Sequence, residues 1–229
     1  MDSITKVKSI TLWIFIVPFF AINICLVLIT QFHELFPNQE DILHNTLPYI
    51  DGGASISRTA RVFPTYLIFK PAMFITSYLL IRYWINNKII ISTVDSKNKN
   101  IKIMTFFGIG SAILLTIHSI FLGIKFDYDL YKLFRRVVIA FFILFEVIAQ
   151  LYLVLTLYKI KKKIINYINF IFLKIKRILV SSLIIVAIVS IPIVSMPGNK
   201  FLKHALEWDY FVGVISFYLL TYFMWKKNK

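Results

Sequence analysis

Apolar residues in this chain come in long uninterrupted runs separated by short polar stretches. Six runs stand out, at approximately 10–31, 62–85, 103–124, 137–158, 178–196 and 208–225. A helix needs about 20 apolar residues to cross about 30 Å of hydrocarbon. The pattern predicts an all-α polytopic bundle of six transmembrane helices. The chain reads as a single integral membrane domain over 1–229, because the connecting stretches are too short for a soluble domain. No internal repeat or low-complexity linker is visible. The first run is too long for a signal-peptide core and no small-x-small site follows it, so it reads as a retained anchor. Pro18, Pro71 and Pro192 fall inside runs, where they can free a carbonyl, and Gly108 and Gly110 read as close-packing positions.

Composition supports this reading. Of 229 residues, 59% are hydrophobic and 16% charged, with mean hydropathy +0.76. Disorder is excluded, because it requires low hydrophobicity. The single cysteine, Cys25, excludes a disulfide scaffold. The net charge of +15 would suggest nucleic acid in a soluble protein. Here membrane topology explains it, so no nucleic-acid partner is expected. With both termini cytoplasmic, 17 of the 26 basic residues lie on the cytoplasmic side, among them Lys159 to Arg177 and Lys226, Lys227 and Lys229. Only Asp2 and Asp95 oppose them there, which is the positive-inside pattern. The lysine-rich stretch from Lys159 to Arg177 is an orientation signal and would also lie against anionic headgroups. Trp84, Tyr158, Trp208 and Trp225 near run ends fit interfacial belts. The membrane would be a plasma or inner membrane in a bacterium and an endomembrane in a eukaryote.

Charges at membrane depth carry the functional information, since each costs at least about 2.5–3.5 kcal/mol on insertion scales. Lys70 and Glu146 lie at similar depths in two spans of the same direction, so an intramembrane Lys70–Glu146 pair is expected, with Gln150 one turn below Glu146. More polar groups gather at the opposite, exoplasmic side: Arg58 and Arg61, Arg135 and Arg136, His118, Ser55 and Ser57, and His204, Glu207 and Asp209. Arginine presents a rigid fork suited to phosphate, so the arginines with His118 predict a lipid-headgroup site. His204 and Glu207 share a helix face and form a workable acid–base pair, or two metal ligands lacking a third. No metal or cofactor is expected. Gly52-Gly53 reads as a tight turn, and no G-x-S-x-G nucleophile elbow occurs.

Two stretches carry a resemblance. Pro48-Tyr49-Ile50 with Ser55-Ile56-Ser57, ahead of an arginine-led second run, resembles the exoplasmic loop of the family of damage-regulated autophagy modulators and the post-GPI-attachment lipid-remodelling factor. His204-Ala205-Leu206-Glu207-Trp208 is similar to that family's Phe-Ala-x-x-Glu-Tyr element at the same place. The matches cover about twenty residues, and this chain lacks the family's His-x-x-x-Trp-Trp ending and the paired cysteines of some members. The resemblance implies a lipid-related membrane protein and carries over Ser55, Ser57, Arg58 and Glu207. The expected function is recognition of membrane-lipid headgroups on the exoplasmic side, assisting lipid remodelling. A small proton-coupled carrier, with Lys70, Glu146 and Gln150 lining a path, and a non-catalytic partner subunit remain alternatives. The residues leave open whether the protein is an enzyme.

Overall fold

The computed structural model describes residues 2–124 and 128–226, so Lys227 and Lys229 of the expected basic terminus lie outside the described residues. The protein is all-α, with six long helices: α1 (Asp2–Gln31), α4 (Tyr66–Val94), α5 (Asn100–Phe121), α6 (Asp129–Ile164), α7 (Phe170–Ser195) and α8 (Lys200–Met224). Two short helices, α2 (Pro48–Asp51) and α3 (Ile56–Ala60), and two 3₁₀ turns, His33–Leu35 and Gln39–Asp41, fill the first loop. Three of the helices, spanning Ser3–Gln31, Asn100–Phe121 and Asp129–Ile164, are long and apolar enough to cross a membrane.

Each apolar run overlaps one long helix, and several helices continue past it. α6 extends from Asp129 to Ile164, well beyond 137–158, because polar residues outside an apolar stretch still propagate a helix. Asp129 in its first turn and Lys161, Lys162 and Lys163 in its last suit the helix dipole.

The six long helices form a closed ring. α1 packs on α4, α4 on α5, α5 on α6, α6 on α7, α7 on α8, and α8 back on α1. α5 therefore lies between α4 and α6 over most of their length, although they meet where Lys163 Nζ donates to the Val94 carbonyl. Its two glycines bear out the close-packing reading: a Cβ on Gly108 would lie 2.3 Å from the Trp84 ring of α4, and one on Gly110 would lie 2.8 Å from Phe145 of α6. Many outward residues are apolar, such as Phe20, Ile24 and Val27 on α1 and Ile185, Ile188 and Ile191 on α7. Apolar surface on this scale requires cover, which a bilayer supplies.

The tryptophans do not form interfacial belts. Trp84, Trp208 and Trp225 are at most 1% exposed and pack inside the bundle. Trp208 donates to the Ala54 carbonyl at 2.9 Å, so the indole that could have faced the headgroups instead fixes the first loop.

Candidate functional site

The first loop docks on the start of α8 through the residues that the sequence singles out. Gly52 ends α2 with φ 63°. A Cβ there would fall 1.7 Å from the Phe201 carbonyl oxygen, so both conformation and contact require glycine. The His204 Nδ1–H donates to the Gly52 carbonyl at 2.9 Å, which fixes the tautomer and leaves Nε2 outward. Glu207 lies near the backbone N–H groups of Ile56 and Ser57, the first turn of α3, whose dipoles favour its charged form. Ser55 caps the same turn, accepting from Arg58 N at 3.2 Å, and its hydroxyl lies 3.2 Å from that of Ser57. Asp51 secures the other side of the loop, accepting from Leu47 N, Gly53 N and the Thr46 hydroxyl.

His204 thus holds loop backbone, Glu207 faces it, and among the described residues the two do not bond each other. Burial pushes the Glu207 carboxyl up to about 7 against the opposing effect of its two N–H donors. Burial likewise lowers the His204 imidazole, opposed by the Gly52 contact and reinforced by Lys200 and Arg58.

This docking places Arg58 and Arg61 beside the start of α6. Arg61 is disfavoured as a cation by burial first, then by the nearby charges of Arg135 and Arg58, with Asp41 opposing. Arg135 also lies within electrostatic reach of His118, and its Nε is buried without a partner, as is His118 Nδ1. Among the described residues no carboxylate comes within 4.0 Å of any of these arginines. The rim therefore gathers Arg58, Arg61, Arg135 and His118. Arg136, the next residue on α6, is exposed and joins none of them.

The expected Lys70–Glu146 pair does not form. α5 stands between the two helices. Lys70 Nζ instead donates at 3.3 Å to the carbonyl of Ile120 in the last turn of α5, where carbonyls lack partners within the helix. Glu146 turns into the ring, 1% exposed. It accepts from Ser111 Oγ of α5 at 2.6 Å, from Gln150 Nε2 at 3.1 Å and from the Tyr218 hydroxyl of α8. Gln150 Nε2 also reaches the Val214 carbonyl at 3.2 Å. Three polar atoms nearby, Tyr83 OH, Trp84 Nε1 and Gln150 Oε1, are buried with no partner.

A second buried charge escapes the sequence reading. Lys176, grouped there with the exposed basic stretch, is 0% exposed. Its Nζ donates to Thr221 Oγ1 at 2.6 Å and sits 3.8 Å from the centroid of the Phe217 ring. Spacing does contain the signal. Leu173, Lys176, Val180 and Leu183 are three or four residues apart and all buried, so Lys176 occupies an apolar helical stripe. Tyr218 and Thr221 occupy the matching stripe of α8 with Val214 and Trp225. Among the described residues no group of three or more His, Cys, Asp or Glu is arranged to hold a metal; His33 and His44 meet only edge to face.

Compared with known proteins, the chain matches no family model, no curated protein and no solved structure.

Proposed function

We propose that this is a six-span membrane protein, both termini cytoplasmic, that binds lipid phosphate at its exoplasmic rim and assists lipid remodelling. One observation carries the reading. Arg61 from the first loop stands within electrostatic reach of both Arg58 and Arg135 of α6, and among the described residues no carboxylate lies within 4.0 Å of the three. Gathering like charges costs energy unless an anion joins them, and a guanidinium fork matches phosphate oxygens. The docked loop supplies the positioning: Ser55, Glu207 and His204 fix the turn that carries Arg58. The resemblance to the lipid-remodelling family supports the same reading through Ser55, Ser57, Arg58 and Glu207. Native mass spectrometry of the purified protein tests it. Arg58→Ala with Arg135→Ala should lose one bound phospholipid per protein, and Arg136→Ala should lose none. Unchanged retention in the double variant refutes the clamp.

A small proton-coupled carrier is the second reading. In its favour, buried polar side chains extend from Ser111 and Glu146 through Tyr218 to Thr221 and Lys176, past Gln150 toward the lysine-rich end. Proton flux into proteoliposomes that Glu146→Gln abolishes would place it first.

A further inference from the structure

The rim lies at one end of α6. Arg135 and Tyr158 are 23 residues apart on that helix, about 35 Å at 1.5 Å per residue. At the Tyr158 end, α6 and α7 border a groove of about 560 Å³ lined by Tyr158, Phe170, Lys174, Arg177, Ile178 and Ser182. That volume falls in the range of small-ligand sites.

The groove has two chemically distinct parts. Its mouth is cationic and held in shape by aromatic rings. The Arg177 guanidinium carbon lies 5.2 Å from the centroid of Tyr158. Lys161 Nζ lies 5.8 Å from that ring and 5.4 Å from Phe170, and Lys174 adds a third positive charge. The sequence contains no Asp or Glu between Glu146 and Glu207, and among the described residues no carboxylate lies within 4.0 Å of these cations. Beyond the mouth, further along α7, the wall is open: Ile178 is 57% exposed, and the small side chains of Ser181 and Ser182 leave room. A cationic mouth continued by an exposed apolar wall complements an anionic headgroup attached to an acyl chain. A free anion would leave the wall uncovered.

We propose that this groove binds one anionic phospholipid from the leaflet at the lysine-rich end of the bundle. Lys174 and Arg177 hold its phosphate, Lys161 and Phe170 border it, and an acyl chain lies along Ile178 and Ser182. This is a second lipid site, independent of the arginine rim. It differs from the general attraction of a basic surface for anionic lipids, which any lysine here would share.

That difference supplies the test. The full-length protein is reconstituted in vesicles of phosphatidylglycerol and phosphatidylcholine, extracted in mild detergent, and assayed by native mass spectrometry for retained phosphatidylglycerol. Lys174→Gln with Arg177→Gln is compared with Lys159→Gln and Lys162→Gln, which remove equal charge from exposed positions outside the groove. Ser182→Trp fills the groove at an exposed position without changing charge. The groove pair and Ser182→Trp should each reduce the population carrying a second bound phosphatidylglycerol about five-fold or more, and the control pair should change it little. Equal losses in both double variants, or full retention in Ser182→Trp, would overturn the proposal.

Discussion

Replacing Glu146 by leucine tests whether its carboxylate joins three helices. Leucine approximates the volume, so the effect is polar and not a cavity. Two bonds that cross between helices disappear, from Ser111 on α5 and Tyr218 on α8. Interhelical hydrogen bonds in membranes average about 0.6 and reach about 1.7 kcal/mol each, giving a loss of about 1–3 kcal/mol. The partners do not suffer equally. Ser111 Oγ keeps the Gly108 carbonyl at 2.8 Å, and Gln150 Nε2 keeps Val214. The Tyr218 hydroxyl loses its acceptor and remains buried, at a cost of about 1–3 kcal/mol. Adding Tyr218→Phe to Glu146→Leu should therefore restore about 1 kcal/mol, a large positive coupling. Lys70→Met should combine with Glu146→Leu additively, within about 0.5 kcal/mol, because Lys70 bonds Ile120 on the far side of α5. Denaturant titration in mild detergent, followed by tryptophan fluorescence, measures the unsubstituted protein, the three single variants and the two double variants. Additivity of Glu146→Leu with Tyr218→Phe, or coupling of Glu146 with Lys70, would refute the reasoning.

Three further outcomes follow from the same contacts. Because burial raises Glu207 from 4.5 to about 7, the docked state binds its proton more tightly than the unfolded chain. The stability it contributes is complete below about 4.5 and is lost as pH rises to about 7, by at most about 1.4 kcal/mol per unit; melting temperatures from pH 5 to 8 should show the decline, and Glu207→Gln should abolish it. Lys176→Met should leave the melting temperature unchanged or raise it, since an apolar chain of similar length replaces a buried amine lacking a carboxylate partner, whereas Lys176→Ala should cost about 2 kcal/mol or more by leaving a cavity. Gly52→Ala should destabilise the loop by more than about 1 kcal/mol, through its positive φ and the clash with the Phe201 carbonyl; faster amide exchange over residues 47–57 would report it.

Much of the fold is legible in the sequence, because apolar length is a one-dimensional property. The six runs locate all six long helices, and Gly108 and Gly110 signal the tight faces of α5. The first loop is legible in part: Gly52, Ser55, Ser57, Arg58, His204 and Glu207 do meet, although most of their polar atoms hold one another's backbone. Rotation and neighbour order are not legible. Similar depth suggests Lys70 beside Glu146, but depth says nothing of the helix placed between them. The same gap hid Lys176, whose charged neighbours Lys174 and Arg177 are exposed while it alone points inward. Tyr218 drew no notice because a tyrosine in an apolar run is unremarkable until a carboxylate is found opposite its hydroxyl.

One further feature bears on how the lysine-rich end behaves. Asn169 N donates to the Met224 carbonyl at 2.7 Å, Lys226 N to the Tyr167 carbonyl at 2.9 Å, and Lys8 Nζ to the Trp225 carbonyl at 2.7 Å. The stretch after α8 is thereby clasped to both the α6–α7 turn and the first helix. Most of the lysines at this end lie in helices and Lys226 lies in the clasp itself, so trypsin meets many side chains of the right kind but little backbone free to enter its cleft. Resistance to nicking there would come from geometry, at the place where composition alone would advertise vulnerability.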